Sequence, residues 1–156
     1  MNKAQSVIEI CKQRNLKIAV AESLTGGMVS SELISISGAS AVFVQGIVSY
    51  TEEAKQRLLN VKESTLASFG AVSKQTAIEM LDGLKNSGAD ILVSTTGLAG
   101  PDGDGFCNEI GLTYIGISFL GKKKVYKMVF NGDRQQIRRS ATEYAIQAVL
   151  NELVNK

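Results

Sequence analysis

Short apolar runs alternate along this chain with segments whose apolar residues recur every three or four positions. Residues 17–21 and 91–95 are typical of buried strands, whereas the spacing in residues 3–14 predicts a helix with one apolar face. A strand that is apolar on both faces needs helices or a second sheet to cover each of them. The alternation therefore predicts an α/β fold in which helices cover both faces of a mixed, mostly parallel sheet.

The same patterns predict the other elements within a single domain over residues 1–156. Thr51 and Ser73 are predicted helix N-caps, because a side-chain hydroxyl accepts the unpaired N–H groups of a first helical turn. A Gly-Lys-Lys turn is predicted to join two late strands into a hairpin, with one of them antiparallel to the rest. The remaining predictions are helices around Val29, Leu33 and Ile36, over residues 51–59, from Ser73 through Leu84 and over residues 133–154, and strands over residues 42–50, 112–119 and 124–130.

The chain contains no histidine among its 156 residues. This absence excludes Ser-His-Asp and Cys-His hydrolase mechanisms and the usual histidine-containing zinc sites. Proton transfers in an enzyme of this composition fall to Lys, Tyr, Asp, Glu or water. The two cysteines, Cys11 and Cys107, have no CxxC spacing, so neither a disulfide framework nor a metal cluster is expected.

Charge and hydropathy limit the expected partners. Seventeen basic and fifteen acidic residues leave a formal net charge of +2, far below the basic excess of a protein that neutralises many nucleic-acid phosphates. The N-terminal segment lacks a signal-peptide core, and no apolar run is long enough to span a bilayer. We expect a cytoplasmic protein that binds neither nucleic acid nor a membrane.

Ser23 stands where the first predicted strand turns into a helix, just ahead of Gly26 and Gly27. Such a turn lifts a hydroxyl above the edge of the sheet and points the following N–H groups at a bound ligand. One interpretation is a nucleophile beside an oxyanion hole. The other is a helix cap, since serine commonly caps helices.

Lys55 follows Tyr50 on the predicted helix over residues 51–59. To act as a base it needs a pKa lowered by burial or by a neighbouring cation, so that its neutral amine can accept a proton. The alternative is a solvated surface lysine. The distance along the chain between Ser23 and Lys55 does not decide whether they meet.

The glycine-rich stretch at residues 97–105 has the composition of a phosphate-binding loop without the spacing of one. It lacks both the Gly-Lys-Ser/Thr ending of a P-loop and the Gly-x-Gly-x-x-Gly spacing of a Rossmann fold. Asp102 and Asp104 resemble the start of a calcium loop, but no Glu stands at the twelfth position. The stretch either lines a pocket or is a plain connection.

Arg134 and Arg138 lie four residues apart at the start of the last predicted helix. Cations at a helix N-terminus oppose the helix dipole, so local stability does not explain them. Together with free N–H groups they suit a phosphate monoester. The alternative is a solvated basic face that pairs with surface carboxylates.

Six ordered segments resemble one protein family. They are residues 21–27 (AESLTGG), 38–40 (GAS), 48–55 (VSYTEEAK), 70–73 (GAVS), 96–101 (TGLAGP) and 132–134 (GDR). The chain is similar over nearly its whole length to the C-terminal domain of CinA, the competence- and damage-inducible protein, which in standalone form is nicotinamide mononucleotide deamidase. The resemblance implies a three-layer α/β/α fold and the standalone form.

The resemblance also implies an activity, the hydrolysis of nicotinamide mononucleotide to nicotinic acid mononucleotide and ammonia in pyridine nucleotide recycling. The Ser–Lys dyad of the family corresponds to Ser23 and Lys55. Family members often associate as homodimers, although no apolar segment here identifies an interface by itself. The pocket residues of the family correspond to Gly38, Ser40, Tyr50, Thr96 and Arg134.

The chain departs from the family pattern at two places. Leu24 stands where the family commonly has cysteine, and Asn108 and Glu109 stand where the family's glycine-rich loop usually ends in Lys-Pro. If that lysine binds substrate, the second exchange predicts weaker affinity or altered specificity.

The mechanism expected from this resemblance needs no metal or organic cofactor. Ser23 attacks the carboxamide carbon while neutral Lys55 accepts its proton, and N–H groups at residues 25–27, including those of Thr25 and Gly26, stabilise the oxyanion. Lys55 then protonates the departing ammonia and activates the water that hydrolyses the ester.

Two further residues have expected roles. Tyr50 is expected to orient Lys55 or relay its proton, and Arg134 to hold the 5′-phosphate, with Arg138 as a weaker candidate. Two alternatives stay open: a nucleotide-binding module of the same family that turns nothing over, and a related amidase or nucleotide hydrolase that uses a different base.

Overall fold

The computed structural model describes residues 2–155, which include one mixed five-stranded sheet. Its strands are β1 (Ile18–Glu22), β2 (Phe43–Val48), β3 (Ile91–Gly97), β4 (Leu112–Phe119) and β5 (Lys122–Val129). They lie in the order β2-β1-β3-β4-β5. β1 is parallel to both of its neighbours, whereas β4 is antiparallel to both of its own. Four strands thus run in one direction and β4 opposes them, which confirms the predicted mixed sheet.

Helices cover both faces of this sheet. They are α1 (Lys3–Arg14), α2 (Met28–Ile34), α3 (Glu52–Leu59), α4 (Glu63–Phe69), α5 (Lys74–Asp82) and α6 (Arg134–Val154). α1, α2 and α6 pack on one face and α3, α4 and α5 on the other. Successive side chains of β1 enter the two cores in turn, Ile18 and Val20 on the α1 side, Ala19 and Ala21 on the α5 side. This burial on both faces explains why residues 18–21 of β1 are all apolar, and the helices on both sides of the sheet confirm the three-layer α/β/α fold.

Side-chain hydroxyls cap two of the helices at the predicted residues. Thr51 Oγ1 accepts the Ala54 N–H at 3.0 Å, and Ser73 Oγ accepts the Thr76 N–H at 3.1 Å. Both predicted N-caps are therefore confirmed, because each hydroxyl satisfies an N–H group that the first turn leaves unpaired.

Three local predictions were wrong or incomplete. α4 was not predicted, and Ile36 lies beyond the end of α2. The hairpin turn is Leu120-Gly121 rather than Gly-Lys-Lys, and both turn residues have positive φ, 50° and 88°. A two-residue turn of this hand matches the twist of the flanking strands, so β5 begins already at Lys122.

The connections of the sheet determine where a ligand can bind. The chain passes from β1 to β2 on one side and then crosses to β3 on the other side of β1. In open α/β sheets such a switch in strand order leaves a crevice at the carboxyl ends of the parallel strands. Within residues 2–155, none of the helices combines the length and the apolar character that a membrane crossing requires.

Candidate active site

Ser23 begins a tight turn directly after β1, at the carboxyl end of the sheet. Its N–H donates to the carbonyl of Thr95 on β3 at 3.0 Å, and its own carbonyl accepts the Gly26 N–H at 3.1 Å. Gly26 and Gly27 both adopt left-handed backbone conformations, with φ of 58° and 101°, which side chains other than that of glycine rarely tolerate. The two glycines therefore allow the chain to reverse at once into α2 while Ser23 stays at the sheet edge.

Glu22 anchors this turn from inside the protein, a role that the sequence analysis did not identify. Its carboxylate is fully buried and accepts four hydrogen bonds, from the hydroxyls of Thr25 and Ser30 and from the N–H groups of Val29 and Ser30. Those N–H groups belong to the first turn of α2, where a negative charge is favourable. The available signal was an acidic residue that directly continues a buried strand.

The side chain of Lys55 reaches from α3 to the Ser23 hydroxyl. Lys55 Nζ lies 2.8 Å from Ser23 Oγ, 2.8 Å from the carbonyl oxygen of Ser49 and 3.4 Å from that of Tyr50. Lys55 is only 1% exposed and Ser23 only 6%. The structure thus brings together two residues that are remote in sequence, and it buries the lysine that the alternative interpretation left in solvent.

Burial also changes the acidity of this lysine. Removal from water lowers the pKa of Lys55 from 10.5 to about 8, while the negative charge of Glu52 opposes part of that change. The polar contacts of the ammonium are neutral oxygens, so no carboxylate in direct contact restores its usual pKa. A lysine in this state can accept a proton near neutral pH, as a general base must.

A cavity of about 480 Å³ opens next to Ser23 and Lys55. Thr96, at the end of β3, lines the cavity and donates its hydroxyl to the carbonyl of Ala71 at 2.6 Å. The glycine-rich loop forms another wall, so of its two interpretations the structure supports the pocket lining. The residues around the cavity are Ser23, Leu24, Tyr50, Lys55, Ala71, Val72, Thr96, Gly97, Leu98, Ala99, Gly100, Pro101, Asp102 and Arg134.

Arg134 lies at the mouth of this cavity, on the first residue of α6. Its guanidinium donates to the carbonyl of Gly100 and to the hydroxyl of Tyr50, each at 2.6 Å. The Tyr50 hydroxyl therefore faces Arg134, whereas Lys55 donates its hydrogen bond to the backbone carbonyl of Tyr50. This geometry does not support the predicted proton relay through the Tyr50 hydroxyl, although the carbonyl does help to orient Lys55.

Thr25 and Gly26 form the turn without lining the cavity. The Thr25 hydroxyl is fully buried between Glu22 and Thr95. The Gly26 N–H is already paired with Ser23, so it cannot also serve as an oxyanion donor. Leu24, Ala99 and Gly100 do line the cavity, and their N–H groups donate to no acceptor within residues 2–155.

Gly38 and Ser40 lie at the opposite end of the sheet. They precede β2, whose first residue, Phe43, pairs with Ile18 at the start of β1. Because β1 and β2 are parallel, the segment before β2 and the Ser23 turn after β1 are separated by the length of the strands. The structure therefore does not bring Gly38 and Ser40 to this cavity within one chain.

Two other residues from the sequence analysis support the site from outside the cavity. Arg138 donates from Nε to the carbonyl of Leu24 at 2.7 Å and so holds the Ser23 turn against α6. Asn108 donates to the Asp104 carboxylate at 2.7 Å and closes the outer part of the glycine-rich loop. Among residues 2–155, no group of three or more His, Cys, Asp or Glu side chains is placed to hold a metal ion.

The sequence is also similar to known proteins over almost its full length. The CinA C-terminal domain family matches residues 1–153. A putative competence-damage inducible protein of Clostridioides difficile is 50% identical over 149 residues, and a CinA-like protein of Kosmotoga olearia is 44% identical over 149 residues. Each alignment covers 95% of this chain but only 35–36% of the relative, so the chain spans about a third of the length of these curated relatives.

A solved structure extends the similarity to the whole fold. The competence-damaged protein (CinA) superfamily protein from Klebsiella pneumoniae 700603 superimposes with a TM-score of 0.95, at 30% identity and with complete coverage of both chains. This superposition includes all of the strands and helices described above. The chain belongs to the CinA C-terminal domain family.

Proposed function

We propose that this protein is an amidohydrolase that converts nicotinamide mononucleotide to nicotinic acid mononucleotide and ammonia through Ser23 and Lys55. The observation that carries the proposal is the 2.8 Å contact between Lys55 Nζ and Ser23 Oγ, made by a buried lysine with a pKa of about 8. A serine hydroxyl is a weak nucleophile until a neighbouring base removes its proton. A neutral amine at hydrogen-bond distance supplies that base in a chain without histidine.

The proposed reaction has two stages. In the first, Ser23 Oγ attacks the carboxamide carbon, its proton moves to Lys55 Nζ, and the carbonyl oxygen becomes an oxyanion. Lys55 then returns the proton to the amide nitrogen as the C–N bond breaks, which releases ammonia and leaves an ester on Ser23. In the second, Lys55 takes a proton from water, the resulting hydroxide attacks the ester carbon, and the proton returns to Ser23 Oγ as nicotinic acid mononucleotide leaves.

The oxyanion in both stages needs hydrogen-bond donors that are already in place. The N–H groups of Leu24, Ala99 and Gly100 are the candidates, because they are unpaired within residues 2–155 and belong to segments around the cavity. At the mouth of the cavity, Arg134 is the proposed partner of the 5′-phosphate, since a guanidinium binds a phosphate monoester with charge-assisted hydrogen bonds.

A direct test is ammonia release from nicotinamide mononucleotide by the purified, metal-free protein, with nicotinic acid mononucleotide identified by chromatography. Ser23→Ala should lose several orders of magnitude in kcat, because it removes the covalent route, while substrate binding measured by calorimetry stays close to that of the parent. Activity of Ser23→Ala within about tenfold of the parent would contradict the nucleophile assignment. Tight binding with no ammonia from the parent would instead favour a nucleotide-binding module.

A further inference from the structure

Two opposite charges line the candidate cavity, and neither forms an ion pair with any residue among positions 2–155. Arg134 directs its guanidinium at two uncharged oxygens, the Gly100 carbonyl and the Tyr50 hydroxyl. Asp102 lines the same cavity and is exposed. Among residues 2–155, no lysine or arginine nitrogen lies within 4.0 Å of the Asp102 carboxylate. The cavity therefore offers a cation and an anion, both free to pair with a ligand.

The backbone fixes Asp102 relative to Arg134. The base of the loop is held by two hydrogen bonds, from the Leu98 N–H to the Leu112 carbonyl at 2.9 Å and from the Gly111 N–H to the Leu98 carbonyl at 2.7 Å. Arg134 itself holds Gly100, two residues before Asp102, at 2.6 Å. Asp102 and Arg134 thus both line the one cavity, close to the backbone of Gly100.

A cavity lined by two opposite charges that do not pair with each other suits a zwitterionic ligand. We infer that the Asp102 carboxylate is the counter-charge for a cationic ring, while Arg134 binds the anionic end of the same molecule. This inference rests on the proposed function, because nicotinamide mononucleotide carries a phosphate at one end and a positively charged pyridinium ring at the other. Asp102 is then a specificity-determining residue that selects a pyridinium over an uncharged ring of the same size.

The reduced mononucleotide is the matched probe for this inference. Its dihydropyridine ring is uncharged, but its carboxamide, ribose and phosphate are the same as in the oxidised form. Asp102→Asn removes the charge and keeps the shape of the side chain. Glu109→Gln is the control, since Glu109 is an exposed acid of the same loop that does not line the cavity.

The experiment measures Kd by calorimetry and KM by ammonia release for both mononucleotides. Asp102→Asn should weaken binding of the oxidised form about threefold to fivefold, as expected for one solvent-exposed charge pair. Binding of the reduced form should change less than about twofold. Glu109→Gln should change neither. Asp102→Ser, which also removes the charge, should reproduce the same difference between the two substrates.

Other outcomes separate this inference from the proposed function. Equal weakening of both forms by Asp102→Asn would mean that Asp102 binds the ribose or supports the loop, and no weakening would mean that it does not face the ring; either result overturns the inference. Charge-selective binding without hydrolysis by the parent would retain the role of Asp102 and reject the deamidase activity. A parent that binds neither mononucleotide would reject both.

Discussion

The pH dependence of catalysis tests the role of Lys55 directly, because the proposed base works only in its neutral form. With a pKa of about 8, about one molecule in ten has a neutral Lys55 at pH 7, whereas at the ordinary value of 10.5 the fraction would be about one in 3,000. Burial thus raises the active fraction at pH 7 by about 300-fold. We expect kcat/KM to rise about thirtyfold between pH 6.5 and 9 and to level off above that.

The assay is ammonia release at low substrate concentration across this range, which begins above the second pKa of a phosphate monoester, near 6. Lys55→Arg should have almost no activity at any of these pH values, since a guanidinium stays protonated and cannot accept the Ser23 proton. Lys62→Arg is the matched control, because Lys62 is an exposed lysine just beyond α3, and it should keep the profile of the parent.

The same pKa makes an independent prediction for stability. Because the pKa of Lys55 is lower in the folded protein than in the unfolded chain, the unfolded chain binds more protons between pH 8 and 10.5. The free energy of unfolding should therefore rise with pH through this window, by up to about 3 kcal/mol for Lys55 alone, and this contribution is lost as the pH falls through 8. Urea unfolding of the parent and of Lys55→Met at pH 7.5 and 10 isolates the contribution of Lys55, since the variant has no amine at this position to titrate.

Two results would refute the reasoning about Lys55. A kcat/KM that still rises tenfold between pH 8.5 and 9.5 would mean that burial does not lower the pKa of the base. Near-normal turnover by Lys55→Arg would mean that another group accepts the proton of Ser23.

Two further substitutions test the phosphate contact and the buried anchor. Arg134→Ala should raise KM for nicotinamide mononucleotide about tenfold to a hundredfold and should have little effect on KM for nicotinamide riboside. The control variant Arg139→Ala, at an exposed residue, should change neither KM. Equal losses on both substrates would mean that Arg134 only supports the loop at Gly100. Glu22→Gln should lower the free energy of unfolding by about 1–3 kcal/mol, because an amide donor would then face N–H groups. Urea unfolding measures this loss, with Glu32→Gln as the control variant at an exposed residue. An equally small change in the free energy of unfolding of both variants would exclude the anchoring role of Glu22.

Local sequence patterns were sufficient to predict most of the fold. α1 and β4 have their predicted bounds, and α3 follows its predicted cap Thr51 and ends at the predicted Leu59. Spacing and capping residues act within a few positions of each other, which makes such bounds predictable. α4 escaped prediction because its short ESTLASF run carries no strong periodicity. The hairpin turn was misplaced by one or two residues, since Leu120 adopts a positive φ that its side chain does not suggest.

The site was only partly predictable from the residues. The absence of histidine restricted the chemistry from the start, and the Ser23 turn could be located from the glycines that follow a buried strand. The roles of Glu22 and Arg138 were not foreseen, because each depends on partners from other elements or later turns. The resemblance to a family supplied the pairing of Ser23 with Lys55, which neither spacing nor composition could establish.

Sequence alone determined the order of helices and strands, the need to cover the sheet on two faces and the set of side chains available for proton transfer. The tertiary structure decided which of these side chains come into contact. The parallel pairing of β1 and β2 places Ser23 and Tyr50 at one end of the sheet and Gly38 at the other. Packing of α3 over that end removes Lys55 from water and so lowers its pKa. The reason is physical: periodicity and capping depend on neighbours along the chain, whereas desolvation and hydrogen bonding depend on atoms brought together only when the layers pack.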